Sequence, residues 1–297
     1  GFFEEATVST ERGAKDDKVD LVVNVKEGQT GSFSAGAGYS TTDRIIFNAR
    51  LTEQNLLGTG RNLSLSFDVG SRRNNLVLTL ADQRINDTFV SGSVSLLKTQ
   101  RLYQDFTRET QGGSMSLGYP LEQVFGSTFQ DIFSSLEYGL TSIDISDVDS
   151  AQAAQLVIDS QGKSVNSAIT PRLLRNTIDN PLNPTRGSRQ ALGFEYAGVG
   201  GDQKYILGTA NSTLYQPLVD FESGPLVFSM RNRLSYGQSQ NDDPFPLFQR
   251  FFPGGIDSVR GFQNRTLGPI DANGREFGGS KEFVSNFEMI FPLVSSA

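Results

Sequence analysis

Cysteine, histidine and tryptophan are all absent from the 297 residues of the chain. Without cysteine the chain can form neither disulfides nor thiolate metal sites, and without histidine it lacks the commonest metal ligand and general base. Complete phosphate-binding glycine motifs and the GxSxG nucleophile motif are missing too. We therefore expect that the protein is not an enzyme and that it holds no cofactor and no metal.

Basic residues are outnumbered by acidic ones, 26 to 33, which gives a formal net charge of −7 and a pI of about 4.8. This balance argues against a nucleic-acid partner. The sequence also lacks any run of apolar residues long enough to predict a transmembrane helix. These properties are those of an ordinary β-protein, so the class of protein has to be decided from periodicity.

Stretches of roughly ten residues alternate apolar side chains with small or polar ones, and turn residues separate them. Successive side chains of a β-strand point to opposite faces, so each stretch predicts a strand with one apolar face. The apolar positions of the clearest stretches are Phe33, Ala35, Ala37 and Tyr39; Leu63, Leu65, Phe67 and Val69; Leu76, Leu78 and Leu80; Leu192, Phe194 and Tyr196; and Phe283, Phe287, Met289 and Phe291.

Two architectures produce this pattern. A soluble β-sandwich turns the apolar faces inward, whereas a transmembrane barrel turns them to lipid and keeps the polar faces in a wet lumen. Arg231, Arg233, Glu282 and Glu288 all lie opposite apolar neighbours on their strands. About twelve strands of near-membrane length favour the barrel. We predict an all-β fold, a transmembrane antiparallel β-barrel over residues 30–297, with the sandwich as the alternative.

The links between the predicted strands appear in the sequence as alternately short and long, which is typical of short periplasmic turns and longer outer loops. Residues 71–74 and 220–224 are predicted as short links, and residues 142–166 and 237–280 as long ones. A stretch as long as 237–280 without a strand pattern usually has a function in a compact fold.

The first part of the chain, residues 1–29, differs from the rest. Residues 4–9 and 19–26 alternate like two short strands around a charged turn at 11–18. This pattern predicts a soluble hairpin that ends a preceding small domain.

Four segments carry a resemblance to a known family. They are GFFEEATVST with VDLVVNVKEGQTGSFSAGAGYS (1–10 and 19–40), LLGTGRNLSLSF (56–67), DNPLNPTRGSR (179–189) and RFFPGGIDSVRGF (250–262). In this order they resemble the BamA family of outer-membrane insertases, within the POTRA-barrel superfamily. The resemblance implies that residues 1–29 end the last POTRA domain. It also implies that the remainder supplies strands 1 to about 12 of a barrel that has sixteen strands in the family.

The most specific of these segments contains Val259, Arg260, Gly261 and Phe262. It matches the (V/I)RG(F/Y) motif that the family places on a loop folded back into the barrel, so the resemblance makes 237–280 that inward loop. In the family the motif arginine meets an acid on the twelfth strand, which Glu288 matches with the parity to face inward. We predict an Arg260–Glu288 ion pair, because guanidinium suits a carboxylate. The alternative is a solvated arginine on an outer loop.

Glycines surround this motif at positions 254, 255 and 261. A loop tip inside a lumen must have its backbone groups and its charges paired. Glycine permits the close approach and the unusual dihedral angles that such pairing requires. We therefore expect all three glycines to shape the loop tip.

The sequence departs from the family pattern at its end. The thirteenth strand and the closing strand with its terminal aromatic residue have no counterpart before Ala297. Unpaired strand edges in hydrocarbon are very costly. We therefore expect that this chain is a C-terminally incomplete barrel.

The resemblance implies insertion and assembly of β-barrel proteins in the bacterial outer membrane, without nucleotide. The partners would be outer-membrane lipid, nascent β-barrel client proteins and periplasmic accessory lipoproteins of the assembly complex, with no nucleic acid. The first strand would form one side of a lateral gate and would template an incoming strand along its exposed edge. Its residues are Gly31, Ser32, Phe33, Ser34, Ala35, Gly36, Ala37, Gly38 and Tyr39.

Gly36 and Gly38 would weaken the pairing of this strand with the closing strand. The alternative explanation for both glycines is tight packing in the barrel wall. Two alternative functions also remain at this point. One is a related TamA-like or two-partner-secretion translocation pore, and the other is a passive diffusion porin.

Overall fold

The structure is a computed structural model that describes residues 3–12, 19–40 and 44–292. Strands dominate it, as the period-two pattern predicts. A two-stranded antiparallel sheet contains β1 (Phe3–Arg12) and β2 (Val19–Glu27). A twelve-stranded sheet contains β3 (Gly31–Ser40), β4 (Arg44–Glu53), β5 (Asn62–Gly70), β6 (Arg73–Asp82), β7 (Ser91–Leu102), β8 (Thr107–Pro120), β9 (Ile132–Ser146), β10 (Gly162–Asn176), β11 (Gly187–Ala197), β12 (Tyr205–Phe221), β13 (Gly224–Ser239) and β14 (Lys281–Ile290).

Each strand of the large sheet pairs antiparallel with its neighbours along the chain, from β3 at one edge to β14 at the other. The prediction of about twelve antiparallel strands is confirmed. Over the described ranges the sheet is open, since no pairing joins β14 to β3.

The hairpin predicted near the start of the chain is present as β1 and β2, paired from Phe3↔Glu27 to Arg12↔Val19 with one irregularity near Phe3. The predicted turn falls mainly on residues 13–18, which lie outside the described residues, as do 1–2 and 293–297. The assignment of this hairpin to a POTRA domain stays a prediction.

Two predicted link boundaries were wrong. The link predicted at 142–166 is shorter, because β9 runs to Ser146 and β10 starts at Gly162. The loop predicted at 237–280 is residues 240–280, because β13 continues to Ser239. Ile143 and Ile145 lie on the face opposite the exposed Leu140, and residues 162–166 and 237–239 are mostly polar or small, so the outward apolar pattern ends before the strands do.

The predicted alternation of short and long links was also wrong. At the end of the sheet that carries the long loop, the links at 71–72 and 103–106 are short and the link at 147–161 is long. At the opposite end, 121–131 and 177–186 are long while 222–223 is a tight turn. Each end of the sheet therefore has links of both kinds.

Two short helices lie within the links, α1 (Glu122–Phe125) and α2 (Gln155–Asp159). Over the described part of the chain, neither these nor the 3₁₀ segments have the length and apolar character needed to cross a membrane.

The two faces of the sheet differ as the alternation predicts. The face that contacts residues 240–280 is the inner one, and it presents Glu195, Tyr205 and Glu288 to that loop. The opposite, outer face exposes large apolar side chains, such as Phe33 at 71%, Phe283 at 71% and Met115 at 62%. Such a surface is unfavourable in water but is the one that hydrocarbon requires.

Candidate functional site

The predicted motif lies on the loop at 240–280, which starts at the end of β13 and returns to β14. Arg260 Nη2 lies 2.8 Å from Glu288 Oε1 on β14, so the two side chains form an ion pair. This separation is within the direct hydrogen-bond range that the sequence prediction required. The Arg260 side chain is 54% exposed and that of Glu288 is 34% exposed, so both are partly solvated.

A second contact holds the same part of the loop to β14. Asn286 Nδ2 donates to the Ser258 carbonyl at 3.0 Å. Asn286 and Glu288 are two residues apart and therefore share the inner face of the strand. The loop tip is fixed to β14 at two points, one neutral and one ionic.

The glycines around the motif have two different roles. Gly254 has φ +116°, and a Cβ there would lie 2.3 Å from the Gln263 carbonyl oxygen. Gly255 has φ +93°, and its Cβ would meet the Asn264 side chain. Gly261 has φ +88° but open space around it. Close approach of backbone therefore requires glycine at 254, the Asn264 side chain would have to move for a Cβ at 255, and only the dihedral angle favours glycine at 261.

The other motif residues are less enclosed. Val259 is half-buried, while Phe262 is 53% exposed. Neither side chain forms part of the two buried apolar clusters of the described residues. The side-chain contact that joins the motif to the barrel wall is therefore that of Arg260, while the Phe262 carbonyl accepts a hydrogen bond from the Gly255 N–H at 3.0 Å.

A polar network at the start of the loop was not predicted from the sequence. Gln249 Nε2 donates to Glu195 Oε1 at 3.0 Å and to the Tyr205 hydroxyl at 2.7 Å. The Tyr205 hydroxyl in turn donates to Glu195. Tyr205 is fully buried and forms a cluster with Phe245, Leu207, Ala168 and Ala197. These contacts anchor the first turn of the loop to β11 and β12.

Two arginines tie the loop to itself and to its neighbours through backbone carbonyls. Arg250 donates to the Phe245 and Gly278 carbonyls at 2.9 and 2.8 Å, which closes the base of the loop. Arg275 donates to the Ala151 and Ala153 carbonyls at 2.6 Å each, which joins the loop to the link at 147–161. The sequence offers no signal for these bonds, because their acceptors are backbone carbonyls.

Arg265 sits between two aromatic rings. Its guanidinium lies 3.6 Å from the Phe252 ring centroid and 4.6 Å from that of Tyr103. Burial lowers the pKa of Arg265 below its ordinary value, and burial also raises the pKa of the nearby Asp105. Arginine nonetheless stays charged at neutral pH, so cation–π attraction holds the loop to the link at 103–106.

The predicted gate strand β3 pairs with β4 along its whole length, from Gly31↔Glu53 to Ser40↔Arg44. A Cβ on Gly36 would come within 2.8 Å of the Asn48 side chain, whereas a Cβ on Gly38 would meet nothing within 4 Å. Neither residue is among the glycines with positive φ. Packing against Asn48 therefore explains the glycine at position 36 but not the one at position 38. At position 38 the effect of glycine is to lower the β-strand propensity.

Comparison with known proteins identifies the family. The Omp85 superfamily domain matches residues 55–297. The chain belongs to the Omp85 superfamily.

The similar curated proteins of bacteria are named outer membrane protein assembly factor BamA. The chain is 28% identical over 295 residues to BamA of Nitratidesulfovibrio vulgaris, covering 98% of this chain and 36% of that protein. It is 26% identical over 291 residues to BamA of Neisseria meningitidis, covering 93% and 36%. The human sorting and assembly machinery component 50 homolog is 24% identical over 303 residues, covering 99% and 61%. The chain thus spans just over a third of its BamA relatives.

Solved structures agree on the fold. BamA from Haemophilus ducreyi lacking POTRA domains 1–3 has a TM-score of 0.85 at 23% identity, covering 100% of this chain and 60% of that one. CdiB from Escherichia coli has a lower TM-score of 0.57 at 14% identity, covering 99% and 54%. The resemblance to the BamA family is confirmed, and the twelve-stranded sheet of this Omp85 chain is part of a bacterial outer-membrane β-barrel.

The link that precedes β11, at 177–186, has a carboxylate at its centre. Asp179 accepts hydrogen bonds from the Thr185 hydroxyl at 2.6 Å and from the backbone N–H groups of Thr185 and Arg186. The Thr185 hydroxyl bond is the main reason that the pKa of Asp179 lies well below its ordinary value.

We expect this link to keep its structure down to unusually low pH. A depressed pKa in the folded state contributes stability that is present above the unfolded value and is lost as the pH falls through the folded value. Amide protection factors of Thr185 and Arg186 should therefore persist at a pH where an ordinary aspartate is half protonated. Asp179→Ala should lower them at all pH values, whereas Asp220→Ala, near another turn, should not. Equal protection in wild type and Asp179→Ala would contradict this prediction.

Proposed function

We propose that this chain is the membrane part of a protein that inserts and assembles β-barrel proteins into the bacterial outer membrane through a lateral gate. The observation that carries the proposal is the Arg260–Glu288 ion pair, which holds the motif loop against the inner wall. It occurs in an Omp85 chain whose bacterial relatives are named outer membrane protein assembly factors.

In this proposal β3 acts through its backbone. A client strand adds to the edge of β3, and main-chain hydrogen bonds supply both affinity and direction. Gly38 lowers the β-strand propensity of β3, so the hydrogen bonds between β3 and a closing strand are easier to open. Because a folded barrel in lipid has all its backbone groups paired, the product is lower in free energy and neither a nucleotide nor a covalent step is needed.

The partners in this proposal are nascent β-barrel clients, outer-membrane lipid and periplasmic accessory lipoproteins. Residues 1–29 would be the end of the last POTRA domain. The higher TM-score to BamA than to CdiB favours assembly over a two-partner-secretion pore.

Cysteine cross-linking tests the gate in the full-length protein. Ser34 on β3 and Ser66 on β5 lie in one cross-strand row through Arg50, and this part of the chain has no native cysteine. We expect Ser34→Cys to cross-link to a cysteine in the terminal strand of a stalled client. Ser66→Cys, on a strand paired on both sides, should give no such product.

Three results would go against the proposal. Equal cross-linking at both positions would mean that clients do not dock at β3. Cross-links to a soluble exported protein, with no insertion of barrels into proteoliposomes, would favour a translocation pore. A steady high single-channel conductance would favour a porin.

A further inference from the structure

A groove of about 630 Å³ lies on the outer face of the sheet over β9 to β13. Its base is Gly208 and Ala210 of β12. Larger side chains flank them in register, with Phe194 and Tyr236 beside Gly208, and Leu192 and Leu234 beside Ala210. Two small residues between two rows of large ones thus leave an apolar channel in the wall.

The fold itself does not require the groove. Gly208 is not among the glycines with positive φ, and a Cβ there would come no closer than 4.0 Å to the Tyr236 carbonyl oxygen. A Cβ would therefore fit without moving the backbone, and a residue other than glycine would raise strand propensity. The packing of the strands within the sheet therefore does not require glycine at 208, the residue that leaves the groove open.

A basic residue lies beside the groove, on the far side of Tyr236. Lys281 pairs with Tyr236 in the register of β13 and β14, and its Nζ lies 5.0 Å from the Tyr236 ring centroid. It shares the outer face with Phe283, two residues further along. Among the described residues no carboxylate lies within 4 Å of this ammonium group.

One end of the groove is polar. Gln190, Ser212 and Asn232 form a row across β11, β12 and β13, directly beyond Leu192, Ala210 and Leu234. Ser285 Oγ continues the row on β14 by donating to Asn232 Oδ1 at 2.6 Å. The apolar channel therefore has a polar limit at one end and a cation beside it, on the far side of Tyr236.

We propose that this groove binds one acyl chain of an anionic, phosphate-bearing membrane lipid, with the phosphate at Lys281. The outer face meets hydrocarbon, and a channel left empty there would lose its dispersion contacts, so an acyl chain fills it. Lysine at the edge of the apolar band extends to the headgroup region and attracts anionic phosphate. The proposal rests on the membrane placement in the proposed function but not on the insertion activity.

Photolabelling tests this proposal in the full-length protein. It would be reconstituted in phosphatidylcholine vesicles that contain phosphatidylglycerol with a diazirine on its acyl chain, and labelled peptides would be mapped by mass spectrometry. We expect labelling concentrated on 187–197 and 205–221. Gly208→Leu combined with Ala210→Leu should abolish this excess, while Met115→Leu on the outer face of β8 should not. Lys281→Gln should lower the labelling of these strands by the phosphatidylglycerol probe about fivefold and leave their labelling by a phosphatidylcholine probe unchanged.

Three results would overturn the proposal: uniform labelling of the outer face, equal labelling by the two lipids in the wild type, and occupation of the groove by a protein strand. Insertion of a client barrel is measured in the same vesicles. We expect the Gly208→Leu and Ala210→Leu variant to retain it. If the wild type inserts no client, the proposed function fails, while the labelling still decides whether the groove binds lipid.

Discussion

Arg260→Ala is expected to lower the rate of client insertion about fivefold while leaving the thermal unfolding of the barrel nearly unchanged. The ion pair with Glu288 is partly solvated, so it contributes about 1 kcal/mol or less. A contribution of that size is too small to unfold a large sheet. It is large enough to shift a loop between docked and undocked positions by about fivefold.

Charge variants distinguish an ion pair from simple packing. Arg260→Glu should lower the rate of client insertion more than Arg260→Ala does, because it places two carboxylates together. Combining Arg260→Glu with Glu288→Arg should restore part of the activity. Insertion would be measured in proteoliposomes with the full-length protein, and loop position by limited proteolysis of residues 240–280.

The chain offers a matched control for this experiment. Arg172 Nη1 donates to Glu137 Oε2 at 2.9 Å, and these side chains are 46% and 31% exposed, close to the values for Arg260 and Glu288. This pair joins β10 to β9 and does not involve the loop. Arg172→Ala should leave insertion unchanged. An equal loss in both variants would mean that the effect comes from general weakening of the barrel.

Gly254→Ala is expected to displace the loop tip and to have the largest effect of any single methyl group added to the loop. A Cβ would lie 2.3 Å from the Gln263 carbonyl oxygen, and φ is +116°. The dihedral strain alone costs about 1–3 kcal/mol. The clash adds to it, because a backbone carbonyl cannot rotate away as a side chain can.

Gly274→Ala separates these two contributions. Gly274 lies in the same loop with φ +77°, but a Cβ there would meet nothing within 4 Å. It should therefore show the dihedral cost without the clash. We expect faster proteolysis of residues 240–280 and slower insertion in Gly254→Ala than in Gly274→Ala. Equal behaviour of the two variants would show that the close approach at Gly254 is unimportant.

The pairing of Arg260 with Glu288 could be predicted because the family resemblance and the strand parity both indicated it. The resemblance indicated which arginine and which strand, and strand parity indicated that Glu288 faces inward. The anchors made by Gln249 and Arg275 could not be predicted in this way. Gln249 reaches Glu195 and Tyr205 on distant strands, and Arg275 reaches backbone carbonyls, which look alike in every sequence.

The boundaries of the links were predicted less accurately than the strands themselves. Residues 142–146 and 162–166 belong to strands. In the first of these stretches the large side chains, Ile143 and Ile145, are buried on the inner face, where Ile145 packs in a cluster with Leu247 of the loop. The outward apolar pattern therefore ends there although the hydrogen-bonded ladder continues.

The sequence by itself determined the strands, their two faces and the family, because a side-chain period of two and short motifs are local properties of a chain. The tertiary structure alone decided where the loop rests and which groups hold it. It also decided that two small residues of β12 lie between rows of large ones. These features depend on register, and register brings together residues that are far apart in sequence.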